Sequence, residues 1–185
     1  MGTEFQANLA DWGPYFGFVG TAAATLLGLL FVAASLRLDI FRNAETADVR
    51  EFARLTLLSF LIPLILAGLA LMPHEQPPRL AIPILVLAII GLLVTIHMCR
   101  EWIRLNPART RASSPNSYQP WQWEGWVHMV LVGCAYLTMM VVAFLLLRGS
   151  DAAFLLLGVV EGWMLVVGTL NAWVMLTNAN IDGKS

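Results

Sequence analysis

The chain has 185 residues, 58% of them hydrophobic and only 12% charged, with a net charge of −1 and a mean hydropathy of +0.72. A water-soluble domain carries roughly 25% charged residues, so this composition excludes a hydrated globule, and the balanced charge excludes a field that would recruit nucleic acid. The longest stretch between apolar segments, residues 100–125, is too short for a separate soluble catalytic domain.

A transmembrane helix needs about 20 mostly apolar residues. Five segments qualify: 14–36, 53–72, 80–99, 126–147 and 152–177. The expected fold is therefore all-α, a single integral-membrane bundle of about five transmembrane helices with the lipid bilayer as its main partner. The first 13 residues hold no Lys or Arg, so a signal-peptide n-region is missing.

The first segment carries a stripe of small residues. Gly13, Gly17, Gly20, Ala24 and Gly28 recur at steps of three or four. In lipid, close backbone approach drives helix association, so this stripe is expected to pack against another helix or against another copy of the chain. The run Gly20-Thr21-Ala22-Ala23-Ala24-Thr25-Leu26-Leu27-Gly28-Leu29-Leu30-Phe31-Val32-Ala33-Ala34-Ser35-Leu36 resembles the first helix of small multi-pass bacterial inner-membrane proteins of unknown function. The resemblance implies a bacterial inner membrane and supplies no catalytic residues.

The connection 37–52 alternates in sign through Arg37, Asp39, Arg42, Glu45, Asp48, Arg50 and Glu51. That pattern suits a short solvated helix on the membrane surface. The second segment holds Pro63, which a bundle tolerates. Because the following connection is short, segments two and three form either two full spans or a re-entrant hairpin.

The third segment ends on His97, with Glu101 four residues later, and the fourth begins with Glu124 and His128 at the same spacing. Four residues along a helix places two side chains on one face. These four residues are candidate ligands for a divalent metal, and the two histidines are candidate haem ligands. The alternative is a pair of interfacial residues facing water or headgroups. Between them, Pro107, Pro115 and Pro120 mark a loop, and Trp102, Trp121, Trp123 and Trp126 suit an interfacial aromatic belt.

The fifth segment contains Glu161 deep in an apolar span, Thr169 and Asn171 further along, and a second small pair, Gly158 and Gly162. A charge at mid-span costs roughly 2.5–3.5 kcal/mol on insertion scales. Glu161, Thr169 and Asn171 are the candidates for a polar track or pore lining.

Nine of the eleven Lys and Arg residues flank one side of these spans and two, Arg79 and Arg148, flank the other. The positive-inside rule then predicts the N-terminus outside and the C-terminus in the cytoplasm. The expected function is that of a homo-oligomeric membrane protein, channel- or pore-like, with Glu161 attracting cations. The alternatives are a non-conducting binding or regulatory subunit for another membrane protein, and a small metal or haem protein.

Overall fold

The computed structural model describes residues 2–36, 47–72, 76–112 and 121–178, and among them every regular element is an α-helix. The helices are α1 (Gly2–Leu36), α2 (Ala47–Leu71), α3 (Pro77–Ala112), α4 (Trp121–Leu147) and α5 (Ala152–Asn178). All five apolar segments fall within these helices.

Several helices outrun their apolar segments, α1 and α3 by the most. α1 begins at Gly2 and carries Pro14 inside it, whereas hydropathy places its start at Pro14. Its 35 residues span about 52 Å at 1.5 Å per residue, well beyond a hydrocarbon core of about 30 Å. The extra turns are held by packing. Phe5 is buried with its ring 5.6 Å from that of Phe154, and Leu9 and Trp12 lie against the core. α3 likewise continues to Ala112, past the expected end at Cys99 and through Pro107. The surface helix expected over 37–52 is not a separate element where it can be followed, since Ala47 onward belongs to α2; residues 37–46 lie outside the described residues, as does the centre of the expected loop, 113–120.

Among the described residues, four helices are long and apolar enough to cross a membrane, over Glu4–Ser35, Pro77–Arg100, Val127–Leu147 and Ala152–Trp173. In α2 the corresponding apolar stretch, Thr56–Leu71, is shorter. α2 is nonetheless central. It packs along α1 on one side and α5 on the other, and it buries Phe60, Leu66, Ala67 and Ala70.

α5 is the hub of the bundle. It contacts α2, α4 and α1, while α3 is attached mainly to α4 and touches α2 little. α1 and α5 run parallel: Asn8 donates from Nδ2 to Oδ1 of Asp151, and Tyr15 reaches Gly158. α3 and α4 run antiparallel, Gly91 lying against Tyr136 and Gly133 beside Thr95.

The turn between α4 and α5 follows from one glycine. Gly149 has φ +69°, a left-handed conformation open to glycine at little cost. Ser150 N–H then donates to the Leu145 carbonyl and Gly149 N–H to that of Leu146, both at 3.0 Å. This is a Schellman closure, and it folds α5 back on α4 within four residues.

Close approach is the packing rule. A Cβ at Gly168 would come within 2.8 Å of the Phe60 ring, one at Gly158 within 3.0 Å of Tyr15, and one at Gly20 within 3.0 Å of Ala67. Outside, the surface is apolar: Phe18, Leu29, Phe31, Val159, Val166 and Leu170 are all more than half exposed. Contiguous apolar exteriors of this kind mark a membrane or partner surface.

Candidate functional site

On α5, Leu157, Glu161, Met164, Gly168 and Asn171 recur at three- and four-residue steps and share one buried side. Leu155, Val159, Val166 and Leu170 occupy the opposite, exposed side. The helix period therefore turns its only charged residue inward. Glu161 is 0% exposed, and neither Oε1 nor Oε2 has a hydrogen-bond partner.

Glu161 is set among apolar neighbours. Within α5, the turn before it presents Leu157 and the turn after it Met164, both fully covered. On the α1 side stands Tyr15, whose hydroxyl donates to the Gly158 carbonyl at 2.7 Å and which lies close enough to interact electrostatically with Glu161. Two turns further along α5, Phe60 of α2 is seated on Gly168. α1, α5 and residues 55–71 of α2 contain no Lys, Arg or His at all. A buried polar atom without a partner costs about 1–3 kcal/mol, and a charged one more. Both oxygens of Glu161 are buried in this way.

Asn171 lies on the same side of α5, ten residues from Glu161, and is also buried. Its amide nitrogen approaches both ring nitrogens of His128, with the closer contact at Nδ1 and the other at 3.3 Å from Nε2. Thr169 departs from the expected polar track. It lies on the exposed side, and its hydroxyl donates to the Leu165 carbonyl of its own helix at 2.8 Å. It is two residues before Asn171, so a helix with 3.6 residues per turn sends the two side chains to different faces. Glu161 and Asn171 thus share the buried side of α5, and Asn171 contacts His128, a partner that the spacing of residues on α5 could not reveal.

The metal reading places His97, Glu101, Glu124 and His128 together. His97 is exposed on α3, whereas His128 is buried against Asn171, so the two rings face different surroundings. The side chains of Glu101 and Glu124 lie outside the described residues. Among the described residues no group of three or more His, Cys, Asp or Glu side chains is placed to hold a metal ion.

The glycine stripe divides. On α1 only Gly20 meets another helix; Gly13, Gly17 and Gly28 have nothing within 4 Å of an added Cβ, and Ala24 is exposed. On α5, Gly158 receives Tyr15 and Trp12, and Gly162 faces the Tyr15 hydroxyl at 3.6 Å. The α5 pair therefore serves packing within the chain, while most of the α1 stripe faces outward. Sequence spacing also passes over Gly91, where an added Cβ would lie 2.1 Å from the Tyr136 ring. An isolated glycine opposite an aromatic on another helix leaves no periodic mark.

Comparison with protein-family models, with curated proteins and with solved structures yields no match.

Proposed function

We propose that the chain is a multi-pass membrane protein whose working group is Glu161, a carboxyl that takes up and releases a small cation inside the bundle, in a channel-like or transport role. The observation that carries this reading is the complete burial of Glu161 with both oxygens unpartnered. An ionisable group within the membrane is expensive to keep for packing alone and marks ion or proton pathways. Glu161 faces the inside of the protomer, on the buried side of α5 with Tyr15 of α1 nearby. The path therefore runs within one chain, and a symmetric assembly would add copies without forming the path on its axis. The arginine distribution supports an outside N-terminus and a cytoplasmic C-terminus, and the likeness of the first helix supports a bacterial inner membrane. The test is flux into proteoliposomes under an imposed gradient of protons, Na⁺ or K⁺, comparing the native chain with Glu161→Gln. The expected result is gradient-driven uptake that the substitution reduces to the protein-free background; equal, negligible uptake by both proteins overturns the reading.

A second reading, a non-conducting subunit or homo-oligomer joined through α1, is favoured by a separate observation. Thr21, Ala24 and Gly28 are exposed, and an added Cβ at Gly17 or Gly28 meets nothing within 4 Å; faces of small residues let helices approach closely in lipid. Cross-linking through cysteines placed at Gly17 and Gly28 tests it, with the native oligomeric state in detergent as the reference.

A further inference from the structure

What Glu161 can hold depends on the oxygens around it. A metal cation that leaves water must replace its hydration shell with ligand oxygens, and Mg²⁺ or Ca²⁺ takes about six. A proton needs a single lone pair.

Glu161 itself brings two oxygens, both buried and without a hydrogen-bond partner. The neighbouring turns of α5 present Leu157 and Met164, whose side chains carry no oxygen. From α1 comes the Tyr15 hydroxyl, whose proton is committed to the Gly158 carbonyl. Asn171 is engaged with His128. The cleft between α2 and α3 that holds the Ser59 and Thr95 hydroxyls is lined by Met164 and not by Glu161. Two carboxyl oxygens and one hydroxyl fall well short of a metal ion's shell. Among the described residues no three His, Cys, Asp or Glu side chains gather to supply the rest.

The charges around the site lead to the same ion. Glu161 is the only ionisable side chain on α5, and residues 56–71 of α2 contain none. On α1, Glu4 and Asp11 are exposed, which leaves Tyr15 as the titratable group near the carboxyl. On α4, His128 contacts Asn171, and Tyr136 lies against Gly91. No cation from these helices is at hand to balance a carboxylate. A proton balances it by forming one O–H bond, with almost no change in volume.

We infer that the ion taken up by Glu161 is the proton and not a metal cation, the side chain alternating between carboxylic acid and carboxylate. This inference rests on the cation reading of Glu161 and names its ion.

Infrared difference spectroscopy of the full chain in detergent, stepped in pH, tests it. The C=O stretch of a carboxylic acid without hydrogen bonds lies above that of hydrated acids. Glu161→Gln supplies the blank, with Glu161→Leu in its place should that variant fail to fold. The expected result is a high-frequency acid band, absent from the blank, that is lost completely as pH rises while circular dichroism holds constant. Its midpoint stays fixed when choline chloride is exchanged for the chloride of Na⁺, K⁺, Mg²⁺ or Ca²⁺. A midpoint lowered by any of these metals shows competition for the carboxyl and overturns the inference. A band that never titrates while the fold persists, or no band at any pH, overturns it as well. The spectrum does not depend on transport. Titration without flux removes the transport reading alone, and metal competition with flux removes only the choice of ion.

Discussion

The Tyr15 hydroxyl donates to the carbonyl oxygen of Gly158 across 2.7 Å, three residues before Glu161 on the same helix. This bond joins two parallel helices at the level of the buried carboxyl, and the absence of a side chain at Gly158 is what lets the Tyr15 ring approach. Removing the hydroxyl alone tests the bond: Tyr15→Phe should lower stability by about 0.5–1.5 kcal/mol. Tyr15→Ala removes the ring as well and should cost about 3–5 kcal/mol. Thermal unfolding in detergent, followed by circular dichroism, measures both, and a Tyr15→Phe variant as stable as the native chain would deny the hydrogen bond a role.

Glu161 should show opposed effects on stability and function. Glu161→Leu replaces two unpartnered oxygens with apolar atoms and should stabilise the bundle by about 1–3 kcal/mol, while cation uptake falls to background. A destabilised Leu variant would mean that the carboxyl is satisfied in the membrane by a group the fold does not supply.

The glycines divide into tight and open positions, and alanine distinguishes them. Gly91→Ala drives a methyl into the Tyr136 ring and should cost about 1–3 kcal/mol. Gly28→Ala meets nothing within 4 Å and, by restricting the unfolded chain, should be neutral or stabilising by up to about 1 kcal/mol. If Gly28→Ala instead shifts the oligomeric state on size exclusion, the outward face of α1 is an interface.

The His128–Asn171 contact should behave as a coupled pair. His128→Ala and Asn171→Ala each leave a buried polar partner and should each cost about 1–3 kcal/mol. The double substitution should cost less than their sum, since the second removes a group whose contact across the two helices is already gone. Strict additivity in the cycle would separate the two residues energetically.

Gly149 is the remaining backbone-specific position. Any side chain there meets the left-handed conformation at φ +69°, so Gly149→Ala should lose about 1–2 kcal/mol. Its effect should fall on the α4–α5 hairpin, measurable as faster proteolysis at residues 147–152.

Sequence patterning located the five apolar segments and singled out Glu161, because both signals are local: a long apolar run and a charge inside it. It misplaced the start of α1 and the end of α3. Hydropathy stops where polar residues begin, whereas a helix continues through Glu4, Gln6 and Asn8 as long as Phe5 and Leu9 find a surface. It also joined Thr169 to Glu161, although Thr169 turns outward. Tyr15, Gly91, Gly168 and the pairing of His128 with Asn171 were beyond reach, since each depends on which helix lies next to which. The Gly168–Phe60 fit is visible only once α2 and α5 are side by side.

The uneven attachment of α3 has a mechanical consequence. Held almost wholly by α4, where the Tyr136 ring sits against Gly91, α3 should part from α2 at lower cost than the α1–α2–α5 trio comes apart. That seam runs over Ser59 of α2 and Thr95 of α3, so its loosening should expose these two hydroxyls.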